Sequence, residues 1–478
     1  MSIMAMSHGI AQDMQRLCEM DINGTARYVG MAGSMTAVGG DPSAAHDNPA
    51  GLGVYRRFES MITFGEMLDY THQCIGRDKS VNSLYSSFHV PQVSFVFSFG
   101  NDAITRGLSY SNWMISYHRL KNFHRSSSAV LSGQTGSVTD AMAEQAQGNP
   151  YAAFATSDVW DNINIGWLSV LGYDTYLINP LTSDSSHWVS CLTGNERVRS
   201  SLNIDESGYV DCFTLSWGGN FSNQFYFGVG LNIRSLSYSK STRYTEVDEQ
   251  RCNWMVETGQ TQSGIGVNGV VGLIYKPIHI LRIGAAFQTP SAVGLTTRSW
   301  GKSVSFGLMT DENGRALTIE SETPICTVSS HLQMPLRVSA GLAVLLGDKG
   351  LVSAEYNYSW MKELEGVHTW RVGTELVVKR NWFFNLGYAL STSFRAEDKV
   401  RQPAYNSYFC DTDYYNMGIQ HYGGAAIGYR NQHAVVQLGY QYRWQSNRLY
   451  AHCYQTEPFF MESATHRIVL TVGWHNSR

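Results

Sequence analysis

The sequence predicts an all-β membrane protein: a 14-stranded antiparallel transmembrane β-barrel with a small N-terminal hatch in the lumen. Three observations lead there. From Phe58 onward apolar and polar residues alternate with period two, which sends successive side chains to opposite faces of a strand. No run of 18 apolar residues occurs, which excludes a transmembrane helix. The 478-residue chain is only 15% charged yet 12% aromatic, with 45 Gly and 27 Tyr, and its mean hydropathy is −0.21. A barrel in lipid has this profile, because only alternate residues meet the bilayer and the average stays near neutral. The formal net charge of −4 leaves no footprint for a nucleic-acid partner.

Residues 1–11, MSIMAMSHGIA, are short and apolar and place Gly9 and Ala11 where a signal peptidase prefers small residues. They read as a signal-peptide remnant without its basic region, so the mature chain is expected to begin near Gln12. Residues 12–57 follow as the hatch. Asp41-Pro42 and Asn48-Pro49 each place a side-chain acceptor at an N-cap and a proline at the first helical position. Two very short helical turns should follow. Ala44, Ala45, Ala50 and the surrounding glycines offer little apolar area, so neither turn can hold a core of its own. Something else must enclose the segment.

Alternation marks the barrel, residues 58–478. Phe225, Phe227, Val229, Leu231 and Ile233 alternate with Tyr226, Gly228, Gly230, Asn232 and Arg234. Val436, Leu438, Tyr440, Tyr442 and Trp444 alternate with Val435, Gln437, Gly439, Gln441 and Arg443. One face is apolar with aromatic ends; the other suits a wet lumen. Strands are expected near 58–67, 91–100, 106–119, 208–220, 223–241, 262–276 and 278–290. Seven more fall near 332–346, 350–361, 367–379, 380–393, 416–430, 432–446 and 463–474. An even count lets a closed antiparallel barrel keep both ends of the chain on one side.

Connection lengths orient this barrel. Tight turns are expected at 100–102, 220–223, 276–277, 347–350, 379–381 and 430–432. Long excursions are expected at 120–207, 242–261, 291–331, 394–415 and 447–462. Short turns face the periplasm in such barrels and long loops face outside, so the hatch enters from below.

The hatch resembles that of the FadL-type outer-membrane transporters of long-chain fatty acids and aromatic hydrocarbons. The residues that carry the resemblance are Gly24-Thr25-Ala26-Arg27, Gly30-Met31-Ala32-Gly33 and above all Asn48-Pro49-Ala50-Gly51-Leu52. Barrel segments 281–290 (LRIGAAFQTP), 334–343 (MPLRVSAGLA), 355–360 and 370–375 are similar to consecutive strands of that family. The end departs from a common outer-membrane habit, because the last strand stops at Trp474 and four residues trail after it. The resemblance implies an outer-membrane, monomeric, passive importer of hydrophobic small molecules: capture outside, passage to a pocket beside the hatch, and sideways exit into the lipid. In relatives the opening lies where the third strand kinks against the hatch. Gly107 and Asn112 are the candidate weak points here, and either also suits an ordinary bulge. Two further roles stay open: a non-transporting barrel that partners secreted proteins, and haem uptake.

Loop 120–207 is the expected ligand-facing surface. Trp160, Ile163, Trp167, Leu168 and Leu171 recur at roughly helical spacing, with Leu177 and Ile178 close behind. Such a stripe either forms an apolar groove for an acyl chain or ring, or packs the loop onto the barrel mouth. Catalytic signatures are lacking: the chain has no GxSxG, HExxH or phosphate loop ending in Lys-Ser or Lys-Thr, so no enzyme activity, cofactor or metal is expected. His118 and His124 flank a loop entrance and are the pair to weigh for haem iron. Of eight cysteines, Cys74, Cys191, Cys252, Cys326, Cys410 and Cys453 fall in predicted outer loops, where fifteen disulfide pairings are open.

Overall fold

A computed structural model describes residues 15–75, 79–104, 106–182, 186–192, 196–248, 252–362, 364–379, 381–394 and 407–476. The expected leader at 1–11 lies outside the described residues. Alternation along the chain becomes fourteen consecutive antiparallel strands. They are β1 (Glu59–Ile75), β2 (Lys79–Gly100), β3 (Leu108–Asn122, resuming as Arg125–Thr135), β4 (Arg197–Phe221), β5 (Phe225–Val247) and β6 (Asn253–Ile278). Then come β7 (Leu281–Gln288, resuming as Ser291–Thr310) and β8 (Ala316–Glu322, Cys326–Met334 and Leu336–Leu345). The circuit continues through β9 (Gly350–Met361), β10 (Leu364–Val378), β11 (Trp382–Ser391), β12 (Tyr414–Arg430), β13 (Ala434–Tyr450) and β14 (Phe459–His475). β14 pairs back onto β1 from Glu59↔His475 to His72↔Glu462, which closes the barrel and leaves no edge in that seam.

The odd residues of β5 from Phe225 to Ile233 are exposed on the outer face, while Tyr226, Asn232 and Arg234 are buried inside. Comparable apolar residues, among them Leu215, Leu273, Leu342, Leu386, Leu438 and Leu470, carry the belt around the barrel. Water would charge heavily for that much contiguous hydrocarbon, whereas a bilayer is its natural solvent. Above the belt the same strand continues as Ser235, Ser237, Ser239, Ser241 and Arg243 on its outer face.

That change of outer residue explains where the sequence misleads. Segments expected as excursions at 242–261 and 291–331 are largely strand, and β2 begins at Lys79 rather than near 91. The backbone ladders persist above the membrane, but the outward positions turn to Ser and Thr, so apolar alternation fades while pairing does not. Five of the six expected tight turns lie at or beside turns at the end where Glu59 meets His475; the one expected at 276–277 falls inside β6, which runs on to Ile278 before turning at 279–280 at that same end. Prolines mark the interruptions: Pro290 divides β7, Pro335 divides β8, and Pro91 lies where the β1–β2 register shifts.

Inside sits the hatch, with α1 (Ala26–Gly30), α2 (Pro42–Asp47) and a 3-10 turn (Pro49–Val54). Asp41 accepts from the backbone N–H of Ser43 and Ala44, and Asn48 accepts from that of Ala50, as the two cap-proline pairs predict. Residues 15–22 run through the lumen above it, with Leu17 and Cys18 buried. Across the mouth, loop 136–196 folds into α3 (Val138–Ala146), α4 (Tyr151–Phe154) and α5 (Trp167–Asp174).

Candidate functional site: hatch, mouth and wall

The hatch touches the wall through backbone, which is possible only where the wall has no side chains. Gly218, Gly228 and Gly272 form one cross-strand row on β4, β5 and β6, and Gly373, Gly387 and Gly424 form another on β10, β11 and β12. A β-carbon on Gly228 would overlap the backbone of Pro49 and Ala50; one on Gly272 would overlap the Asn48 amide; one on Gly387 would overlap Met31. Asn48 completes the fit, donating through Nδ2 to the Thr36 carbonyl at 2.7 Å. Pro49, Ala50, Gly51 and Leu52 are all buried between these strands.

Ion pairs fix the remaining contacts. Arg27 pairs with Glu375 on β10 at 2.6 Å, and Asp47 with Arg337 on β8 at 3.1 Å. Glu355 on β9 accepts from the backbone N–H of Met35 at 3.0 Å and of Thr36 at 2.8 Å. Higher in the lumen, Asp21 takes Arg443 at 2.9 Å and Arg467 at 2.8 Å, and Arg16 takes Asp413 at 2.7 Å. Groups this buried rely on their partners, since removing one leaves a charge without solvent.

The loop over the mouth has a core of its own. Trp167, Leu168, Leu171, Leu177 and Ile178 are buried in one cluster with Met142, Phe154 and Trp188, which also takes in Val198, Tyr244, Trp254, Tyr415 and Phe459 from the wall. Trp160 is half-buried and packs edge-on against Trp167 at 5.7 Å; Ile163 is 65% exposed. Five of the seven loop residues singled out from sequence thus pack the cap, and Trp160 and Ile163 face its surface.

One carboxylate ties this cap down. Glu246, at the top of β5, accepts from Tyr244 Oη at 2.6 Å, Trp254 Nε1 at 2.7 Å and the Val138 backbone N–H at 3.1 Å, as well as from Ser137 Oγ. His452 Nε2 lies 3.5 Å away. Burial pushes the Glu246 carboxyl up, but His452, Ser137 and Tyr244 outweigh it and hold the group below its ordinary range.

Neither candidate weak point coincides with a break in the wall. Gly107 lies in the turn before β3 with φ of 85° and open space around it. Asn112 is paired on both sides, to Ser98 and Gly218, and its Nδ2 donates to the Leu52 carbonyl at 2.6 Å, so it holds the hatch. The interruption lies higher. β2 and β3 pair from Gly100↔Tyr110 to Gln92↔His118; beyond that, no ladder joins them among the described residues. Side chains bridge the seam instead: Asn122 Nδ2 donates to Ser87 Oγ at 3.1 Å, Ser83 Oγ donates to the Ser126 carbonyl, and Tyr85 stacks on His124 at 6.0 Å. Leu84 and Phe88, both 68% exposed, project outward from the unpaired edge of β2.

His118 and His124 do not face one another across an open site. His118 is buried with Nε2 on the Asn23 carbonyl at 2.8 Å, and His124 Nδ1 lies 2.6 Å from Asn122 Oδ1. The seven cysteines described, including Cys191, Cys252, Cys326, Cys410 and Cys453, are free thiols; the Cys74 side chain lies outside the described residues. Burial, with Glu246 adding to it, pushes the Cys191 thiol up to about 12, which keeps it unreactive.

No family model matches this sequence, and no curated protein does. Solved structures do. The toluene transporter TodX of P. putida superimposes with a TM-score of 0.54 at 11% identity, covering 96% of this chain and 100% of that one. A FadL homologue of Pseudomonas aeruginosa gives 0.54 at 12% identity, covering 95% and 99%. The monoaromatic hydrocarbon channel CymD gives 0.51 at 10% identity, covering 96% and 98%. The fold is that of the FadL-type barrels.

Within this FadL-type fold, sequence reasoning missed two features that had visible signals. Pro91, inside a run of alternating residues, cannot donate to a ladder and flags the seam beside it. Glycines at inward positions of neighbouring strands flag a close approach from within. The Glu246 cluster has no such signal, because its members come from residues 137, 244, 246, 254 and 452.

Proposed function

We propose that this protein passively imports hydrophobic small molecules, long-chain fatty acids or monoaromatic hydrocarbons, across an outer membrane, releasing them sideways through the β2–β3 seam. The seam carries this reading: it is a stretch of wall held by side chains rather than a ladder, with Leu84 and Phe88 exposed beside it. A small cavity of about 30 Å³ reaches the seam at Asn122, Phe123 and His124, its remaining lining coming largely from charged lumen residues such as Arg16, Lys121, Arg125 and Glu206. Sideways release keeps an apolar ligand out of the charged lumen, where its surface would meet water. Three structures of the same fold are described as a toluene transporter, a FadL homologue and a monoaromatic hydrocarbon channel, which supports the ligand class. Trp160 and Ile163 on the cap are the first apolar surface such a ligand would meet, and Gly107 and Asn112 keep the base of β3 in place below the exit.

The test bridges the seam. A Ser87→Cys, Asn122→Cys variant treated with a short bis-thiosulfonate should lose uptake of labelled oleate and toluene and regain it with reductant, while the parent chain treated identically keeps it. Unchanged uptake in the bridged variant refutes the exit. A second reading, a barrel that holds a secreted protein at its mouth without passing ligand, is favoured by one observation: the cap is a packed unit anchored to the wall. Recovery of large exported proteins with the purified barrel, together with no ligand uptake, decides for it.

A further inference from the structure

A buried guanidinium in the lumen has no counter-charge. Arg234, on β5 just above the apolar belt, is 7% exposed and forms no ion pair among the described residues. Its Nη1 rests on Met334 Sδ at 3.4 Å and its Nε has no partner. It lines a cavity of about 60 Å³ between the hatch segment at Cys18 to Ile22 and the wall.

The other unpartnered atoms around that cavity have the same polarity. Gln288 Nε2, Gln420 Nε2 and Arg371 Nε also find no acceptor, on side chains that are 5%, 2% and 7% exposed. Gln420 is oriented by Tyr422, whose hydroxyl donates to Oε1 at 2.6 Å, so its amide N–H groups remain for the cavity. The charges nearby are otherwise matched. Arg337 has Asp47, Arg371 has Glu355, and Glu19 has Lys121. One positive charge is left over, and N–H donors without acceptors surround the space beside it.

From this geometry we infer a buried binding site for one monovalent anion, held by Arg234 with Gln288 and Gln420. A volume near 60 Å³ is that of about two water molecules, enough for a halide or a single carboxylate group. Burying an isolated charge is costly unless it is paired, so an anion here would compensate the Arg234 guanidinium. The same chemistry is supplied by a free small ion or by the carboxylate head of an amphiphile. The site does not rest on transport: it stands whether or not hydrocarbons cross the barrel.

Bromide is the probe. Crystals of the detergent-solubilised full chain soaked in sodium bromide should show one anomalous peak within hydrogen-bond distance of Arg234 and Gln288. The melting temperature should rise saturably when bromide replaces gluconate at constant ionic strength. Arg234→Met should abolish that response, and Gln288→Leu should weaken bromide binding at least threefold. Gln288→Leu alone decides the matter if Arg234→Met fails to fold. No peak at Arg234, or an identical bromide response in every variant that folds, overturns the inference and leaves a hydrated cavity. Competition by acetate, octanoate and laurate separates the sources. Equal potency marks a free-ion site; potency rising tenfold or more with chain length marks the head of an amphiphile. Uptake of neutral toluene is measured separately, so failure of either proposal leaves the other intact.

Discussion

Replacing Glu246 by alanine should release the cap while leaving the barrel folded. Four donors converge on this carboxylate, and two come from buried side chains: Trp254 Nε1 and Tyr244 Oη, the latter also beside Ser200, belong to residues that are 1% and 0% exposed. Ser137 can rotate, and the Val138 N–H sits at a helix start, where water can reach it once the cap loosens. Two buried donors left without acceptors cost about 2 kcal/mol each, giving about 4 kcal/mol in all. That corresponds to about a thousandfold rise in the population of the opened cap. Hydrogen exchange read by mass spectrometry on peptides covering residues 137–146 and 253–258 measures it directly. Protection there should fall steeply while peptides in the lower halves of β12 to β14 keep theirs. Exchange within threefold of the parent in both regions would show that Glu246 does not hold the cap.

The same group gives the cap a pH dependence whose sign is fixed. Its folded pKa is depressed, so its contribution is fully present above the unfolded value, about 4.3 for a glutamate, and is lost as pH falls through the folded one. Cap exchange in the parent chain should therefore accelerate only below about pH 4. Glu246→Gln, which cannot ionise, should remove that acid step and show intermediate protection at neutral pH.

Four further substitutions test the faces and the hatch. Leu438 is 49% exposed in the apolar belt, so Leu438→Arg should cost about 2 to 4 kcal/mol and empty the heat-modifiable folded band. Gln437→Arg points inward, where Gln437 accepts from the Arg27 backbone N–H at 3.1 Å; this variant should still insert but exchange faster in residues 25–30. Gly228→Val places side-chain atoms where Pro49 and Ala50 sit, so single-channel conductance in planar bilayers should rise from a closed baseline. Asn48→Ala loses an N-cap and the bond to Thr36, a loss of about 1 to 2 kcal/mol read as faster exchange in residues 36–52.

How much of this was legible in the sequence depends on whether the deciding interaction is local. Strand number and facing were legible, because each lipid-facing residue meets hydrocarbon on its own account: Phe227 or Leu438 needs no partner to be apolar. The two hatch turns were legible for the same reason, since Asp41 caps residues two and three positions on and Asn48 caps one two positions on. Strand ends above the membrane were not, because the outer face there meets water and only the backbone ladder, invisible in residue type, keeps Ser235 to Ser241 extended.

The loop stripe shows where such reading reaches its limit. Trp167, Leu168 and Leu171 announce an apolar helix face, but whether that face meets ligand or protein depends on Trp254, Tyr415 and Phe459, which come from three other strands and reach the mouth only after the barrel closes. Asn112 is similar: its residue type suits a bulge equally well, and only the carbonyl of Leu52, sixty positions earlier in the chain, makes it a clamp. The wall interruption then falls where the constraints from both sides fail together. At Pro91 β2 has no N–H to give, and between Arg119 and Lys121 β3 shifts register against β4, so neither strand can carry the ladder past Gln92 and His118. A seam formed this way needs no kink at Gly107 or Asn112. It lies at the height where Leu84 and Phe88 still present hydrocarbon outward, and that coincidence is what supports placing the proposed sideways exit there.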